Sequence, residues 1–260
     1  MKLGDFFRGL FGRAPDAALG GRDRLSWPEI PDSLYVIGDV HGCLSQLKDL
    51  ERQLLEDAEA RAGRAVMVLL GDLVDRGPRS AEVIDHLLGA APSRFERVVL
   101  CGNHDAMFLE FLAEPSLSSP WLGLGGEETL RSYGIELDQR PDLRRLKMQL
   151  HTLVPPEHVG FLSRLPVCID LPGYFLVHAG VDPERKLSEQ RVWDMLMIRD
   201  AFLEHGGPFE KCIVHGHTAV DAVEIGPDRI AVDTGAYGTG LLSAVRLAPN
   251  EKPQVFSSGQ

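Results

Sequence analysis

A chain of 260 residues is long enough for one large domain with a full core, since single α/β domains reach about 250 residues. Hydrophobic residues at 44% and charged residues at 25% match the globular average and exclude a disordered, collagen-like or coiled-coil chain. With 27 Lys and Arg against 38 Asp and Glu, the formal net charge is −11, and a surface of that sign repels a phosphate backbone, which excludes broad nucleic-acid binding.

Residues 1–33 read as a leader. Leu3, Phe6, Phe7, Leu10 and Phe11 recur at helical spacing beside Lys2, Arg8 and Arg13. Such a stripe either docks on a membrane surface or a partner, or packs on the body as a short helix. Gly4, Asp5, Arg8 and Gly9 interrupt it, so it lacks the apolar stretch of about 7–15 residues that a secretory signal needs. No run of about 18 apolar residues occurs anywhere, so no transmembrane helix is expected. Cys43, Cys101, Cys168 and Cys212 form no CxxC pair and predict reduced thiols in a cytoplasmic protein.

From residue 34 onward, short apolar runs end repeatedly in Gly, Asp, Asn or His: 34–37, 65–70, 97–100, 174–177, 212–214 and 230–232. Their length and β-branched content predict buried strands. Helical patterns follow several of them, through Leu44, Leu47, Leu50, Leu54 and Leu55, then Val83, Ile84, Leu87 and Leu88, then Met107, Phe108, Phe111 and Leu112. This alternation predicts an α/β fold over residues 34–248, with ligands bound where loops leave the carboxyl ends of strands. Between about 113 and 165 the rhythm stops, which predicts a cap-like insertion, with Trp121 and Tyr133 lining a pocket or packing the cap. Residues 249–260 read as a loose tail.

The strand ends carry the chemistry. In chain order they read Gly38-Asp39-Val40-His41-Gly42, Gly71-Asp72-Leu73-Val74-Asp75-Arg76-Gly77, Gly102-Asn103-His104-Asp105, His178-Ala179-Gly180, His215-Gly216-His217-Thr218 and Asp233-Thr234-Gly235. Carboxylate and imidazole donors together suit Mn, Fe or Zn better than an all-oxygen calcium cage, and the scattered cysteines do not make a structural zinc site. One Asp-x-His is a turn signal. Repetition at five strand ends, with glycines that let the backbone approach closely, predicts a transition-metal centre.

The ordered succession GDVHG, GDLVDRG, GNHD, HAG and HGHT resembles the bacterial phosphoprotein phosphatase branch of the calcineurin-like metallophosphoesterase superfamily, over about residues 34–245. GGEETLRSYG at 125–134 and HVGFLSRLP at 158–166 resemble stretches of its bacterial members too. The resemblance implies two mixed β-sheets packed as a sandwich between helices, with a dinuclear site at the loop edge. It further implies one divalent ion held by Asp39, His41 and His217, a second held by Asn103 and His178, and Asp72 bridging them. Manganese is the first choice, with iron or zinc as alternatives. Arg76 and Arg199 would bind phosphate, and His104 paired with Asp75 would protonate the leaving group, with a hydroxide between the ions as nucleophile. His215, where animal members carry Arg, would stand behind the ligands or contact substrate.

The leading functional expectation is a serine/threonine protein phosphatase acting on phosphorylated proteins or peptides. The alternative is a hydrolase of diadenosine tetraphosphate or another nucleotide, which GNHD and HAG favour and GHT at 216–218 disfavours. A catalytically dead phosphopeptide-binding module would have vacated ligand positions, yet all six are filled. A nuclease would need a basic stripe.

Overall fold

The computed structural model of the chain describes residues 21–137 and 142–259. The amphipathic stretch at Leu3–Arg13 therefore lies outside the described residues. A six-stranded sheet has the order β1 (Arg24–Ser26), β5 (Cys168–Leu171), β6 (Tyr174–Val177), β7 (Cys212–His215), β9 (Arg229–Ala231) and β8 (Glu224–Ile225). A five-stranded sheet has the order β11 (Gln254–Ser257), β10 (Ser243–Leu247), β2 (Ser33–Ile37), β3 (Ala65–Leu69) and β4 (Phe95–Val99). Both sheets are mixed. β2, β3 and β4 run parallel in one, and β6, β7 and β9 run parallel in the other.

Strand periodicity explains the sandwich. Leu34 and Val36 of β2, with Val66 and Val68 of β3, meet Leu176, Val214 and Ile230 of the other sheet in one apolar layer. The alternate residues Tyr35, Ile37, Met67 and Leu69 face the opposite way, into a larger core shared with the helices. A strand covered on both faces reads as a continuous apolar run, which is why these two were plain in the sequence.

Helix α1 (Leu44–Glu59) buries Leu44, Leu47, Leu50, Leu54 and Ala58 at three- and four-residue spacing. Full burial of each leucine contributes about 1.5–3 kcal/mol. Helices α2 (Ser80–Leu88) and α3 (Asn103–Ala113) follow β3 and β4.

The stretch at 113–165 is a helical layer comprising α4 (Glu127–Ser132), α5 (Leu143–Leu153) and α6 (Pro156–Ser163). α4 and α6 pack on α2, and α6 also packs on α3. Trp121 and Tyr133 are buried; Trp121 stacks on Phe108, and the Tyr133 hydroxyl bonds His158 Nδ1 at 2.8 Å. Both pack the interior, and Trp121 also lines a surface pocket beside Phe111 and Glu114.

Two boundaries of the predicted organisation move. Residues 24–26 pair with β5 as a parallel edge strand, so the end of the leader belongs to a sheet. Residues 254–257 pair antiparallel with β10, so the tail contains a strand. Both are edge strands of three or four residues, too short for a periodic signal. Further on, α7 (Val192–Met197), α8 (Asp200–Leu203) and α9 (Ala236–Thr239) are single turns or little more. Among the described residues no helix is long and apolar enough to cross a membrane.

Candidate metal centre

The parallel strands bring their carboxyl ends to one edge of each sheet, and the polar clusters leave from there. Asp39, His41, Asp72, Asn103, His178 and His217 are each at most 7% exposed. Glycine makes the crowding possible. A Cβ on Gly102 would stand 2.1 Å from Asp72 Oδ1, and one on Gly216 would stand 2.1 Å from Asp39 Oδ1. The backbone is bent hard as well: φ is 44° at His41, 49° at Asp72, 73° at Asp75, 67° at Arg76 and 63° at His217. Such left-handed conformations cost roughly 1–2 kcal/mol each in a non-glycine residue, and they cluster where function over-determines geometry.

Asp72 is central. Its Oδ1 accepts the His104 backbone N–H at 2.9 Å and lies 3.4 Å from His178 Nε2, while its Oδ2 lies 3.5 Å from His41 Nε2 and 4.0 Å from His104 Nε2. Burial would raise this carboxyl, yet the surrounding imidazoles of His178, His104 and His41 hold it well below the usual carboxylate range. Two sets of donor atoms lie within 4.8 Å of one another, one from His41, Asp72 and His104, the other from Asp72, His178 and His217. Asn103 Oδ1 joins the second at 2.9 Å from His178 Nε2. The expected grouping is corrected here: the His217 ring belongs with Asp72 and His178, and only its backbone N–H reaches Asp39, at 3.0 Å from Oδ2.

These residues suit a metal. His41 Nδ1 lies 2.7 Å from the Val74 carbonyl and His178 Nδ1 lies 3.0 Å from the Leu70 carbonyl, so each Nδ1 donates and each Nε2 turns a lone pair toward Asp72. Burial keeps the rings neutral: the His41 pKa is pushed down to about 3, and His178 and His217 also fall. Two guanidiniums meet these lone pairs, Arg76 Nη1 at 2.9 Å from His41 Nε2 and Arg199 Nε at 3.0 Å from His217 Nε2. Both predicted phosphate-binding arginines are therefore at the cluster. Burial, with Asp233 and Asp72 nearby, raises the Asp39 carboxyl well above its ordinary range, and two added positive charges would reverse that.

His104 and Asp75 form a pair, with Nδ1 to Oδ2 at 2.6 Å. Burial opposes charge on His104, but the Asp72 and Asp75 carboxylates outweigh it and raise the imidazole. Asp75 is held in turn by the Trp121 indole N–H at 2.7 Å and the Thr129 hydroxyl at 2.6 Å. Arg76 Nη2 lies 3.0 Å from His104 Nε2.

Several participants escaped sequence reasoning. Tyr237 is 48% exposed; its ring lies edge-on to His41 at 5.4 Å, and the Arg76 guanidinium sits 4.7 Å from its centroid. The sixth strand end, Asp233-Thr234-Gly235, was its only signal. Asp105 is fully buried and accepts from the Gly102 and Leu73 backbone N–H groups, both at 2.9 Å, so it ties two ligand loops together from behind. His215 stays apart from the cluster. Its ring packs edge-on against Phe202 and bonds none of the ligand side chains. Cys43 is buried, and burial pushes its thiol up to about 11, which makes it inert.

Two packed mixed sheets with a buried carboxylate–imidazole cluster and flanking arginines at their common edge define a metal-dependent phosphoesterase. The chain belongs to the calcineurin-like phosphoesterase family, whose model matches residues 33–251. It is similar to the bis(5'-nucleosyl)-tetraphosphatase PrpE [asymmetrical] of Bacillus cereus (strain ATCC 10987 / NRS 248), 24% identical over 242 residues, covering 86% of this chain and 94% of that one. The PrpE of Oceanobacillus iheyensis is 24% identical over 243 residues, covering 85% and 91%. Among solved structures, a candidate diadenosine tetraphosphatase superposes with a TM-score of 0.61 at 23% identity, covering 91% of this chain and 98% of that one. A serine/threonine phosphatase from Saccharomyces cerevisiae follows at 0.54 and 17%, covering 92% and 84%.

Proposed function

We propose that the protein hydrolyses dinucleoside polyphosphates, with diadenosine tetraphosphate as the representative substrate. The observation that carries this reading is the near full-length match to asymmetrical tetraphosphatases, together with a donor cluster that retains all six candidate ligands. It reverses the order of the two sequence expectations. The likeness to the yeast serine/threonine phosphatase, at 17% identity, speaks for the fold alone. The exposed Tyr237 ring beside Arg76 supports a nucleotide as well, because it offers a base a stacking face.

One divalent ion falls to Asp39, His41 and Asp72, the other to Asp72, Asn103, His178 and His217, with manganese, iron or zinc compatible with that donor set. The chemistry supplied by such ions, when bound, is polarisation of the phosphoryl group and acidification of the attacking water. Arg76 and Arg199 present planar guanidiniums to the equatorial oxygens, where charge spreads as the phosphoryl group transfers. His104, oriented through Nδ1 by Asp75, would carry a proton at Nε2 for the leaving oxygen once Arg76 Nη2 turns from that nitrogen to the substrate. Four free cysteines, three of them buried, fit a reducing cytoplasm.

The test compares manganese-loaded protein on diadenosine tetraphosphate and on a phosphoserine/phosphothreonine peptide, with product analysis. Asymmetrical cleavage yields a nucleoside monophosphate and a nucleoside triphosphate in equal amounts. Turnover of the peptide alone would sink the proposal and restore the protein phosphatase reading.

A further inference from the structure

Tyr237 is an aromatic residue that core packing does not explain. It is 48% exposed, and among the described residues its hydroxyl bonds nothing. Its contacts are made by the ring, which lies edge-on to His41 at 5.4 Å and carries the Arg76 guanidinium 4.7 Å from its centroid. The loop around it is braced. Gly235 and Gly240 turn the chain with φ of 64° and 77° on either side of α9, the Gly235 N–H donates to Asp233 Oδ1 at 2.8 Å, and the Thr239 hydroxyl donates to the Thr234 carbonyl at 2.9 Å. The Thr234 hydroxyl lies 2.7 Å from the Leu241 carbonyl, and the Val220 N–H donates to the Asp233 carbonyl at 2.9 Å. The ring is therefore presented on a fixed support.

Arg76 is held at its root by a different element. Its backbone N–H donates to the Gly125 carbonyl at 3.2 Å, and a Cβ on Gly125 would stand 2.5 Å from the Arg76 nitrogen. Beyond that root the flexible stem needs a partner for its head. An aromatic face attracts a guanidinium through the ring quadrupole and uses none of its N–H donors. The fork, whose Nη1 and Nη2 lie 2.9 and 3.0 Å from the Nε2 atoms of His41 and His104, can therefore exchange those nitrogens for phosphate oxygens while its head stays over the cluster. A carboxylate in place of the ring would hold the head by taking two donors and neutralising it.

We propose that Tyr237 is a positioning residue for Arg76: its ring fixes the guanidinium over the candidate ligands by a contact that leaves the N–H donors for phosphate. The inference rests on the assignment of phosphate to Arg76 and holds for whichever phosphoester is hydrolysed.

The experiment is a double-mutant cycle read by calorimetric titration of the manganese-loaded full chain with inorganic phosphate, which has no base or aryl group to stack on the ring. Arg76→Ala should weaken phosphate by about 10-fold or more, as when a charged hydrogen-bond donor is removed. Tyr237→Leu should weaken it by about 3- to 10-fold, the effect of one cation–π contact. Tyr237→Phe should keep the wild-type Kd, and Tyr237→Leu should change nothing further in the Arg76→Ala background. Metal per chain should match the wild type throughout. An unchanged Kd in Tyr237→Leu, or equal weakening with and without Arg76, would overturn the positioning role. So would weakening by Tyr237→Phe, which assigns the effect to the hydroxyl, or loss of metal in Tyr237→Leu, which assigns it to His41. An unchanged Kd in Arg76→Ala removes the phosphate role of Arg76 itself, and the proposal with it.

Discussion

Trp121 donates its indole N–H to Asp75 Oδ2 at 2.7 Å, the same oxygen that His104 Nδ1 reaches at 2.6 Å. The two residues are 46 positions apart, and Trp121 comes from the stretch that carries no strand rhythm. The helical layer thus reaches into the centre through this nitrogen and through the Thr129 hydroxyl on Asp75 Oδ1. It fixes the carboxylate whose charge and direction set the tautomer of the proposed acid.

Graded substitutions separate the members of this chain. Trp121→Phe keeps the ring but leaves a buried carboxylate one donor short, which costs about 1–3 kcal/mol. Asp75→Asn should slow hydrolysis of alkyl phosphates by about 10²–10⁴-fold, with a smaller effect on p-nitrophenyl phosphate, whose leaving group needs no proton. Trp121→Phe should show the same selectivity more weakly, and both variants should retain full metal content. Equal slowing of the two substrates would exclude the acid role.

Asp72 faces both donor sets, so Asp72→Asn should release or disorder both ions at once, measured as metal per chain after dialysis. The thermal stabilisation that added Mn²⁺ gives the wild type should vanish with them. Asp39→Asn, by contrast, should weaken one ion only. Retention of both ions in Asp72→Asn would refute the shared role.

Arg76 bonds His41 and His104 and stacks on Tyr237, so Arg76→Lys preserves charge but loses the planar fork. Turnover should fall by about 10²-fold or more, as when one preorganised donor to a developing charge is lost, with metal content unchanged. Steady-state kinetics beside metal analysis would check both halves.

His215 gives a pH dependence with a defined sign. Burial pushes its pKa down from 6.5 to about 4. Between those values the unfolded chain takes up a proton that the folded protein refuses, so this group's contribution is fully present above about 6.5 and is lost as pH falls toward 4. The loss is on the order of 3 kcal/mol. Urea midpoints at pH 7 and pH 5 should therefore differ less in His215→Phe than in the wild type.

Sequence reasoning reached the strands that are buried on both faces and the polar residues at their ends, because burial writes continuous apolar runs and the turns demand glycine. It did not reach β10, whose buried Arg246 pairs with Asp57 of α1 and breaks the apolar pattern. The strand rhythm does not carry the division into two sheets, which depends on pairings between distant strands; the family resemblance supplied it. The residues that the fold gathers into the polar cluster were legible as a set. Their grouping was not, since His217 offers both a ring and a backbone N–H, and only the fold decides which meets Asp39. Asp105 closes the GNHD motif, which favours the nucleotide alternative; its side chain accepts from the Gly102 and Leu73 backbone, so it acts on the site by tying two loops together.

The left-handed backbone at His41, Asp72, Asp75, Arg76 and His217 sets thermal selection against catalysis. Glycine adopts such angles without steric cost, so replacing the partly buried Arg76 with Gly relieves local strain while deleting chemistry. A population of random variants ranked only by melting temperature should therefore enrich inactive proteins altered in these loops, and a thermostable working form has to be sought in the helices and sheet edges instead.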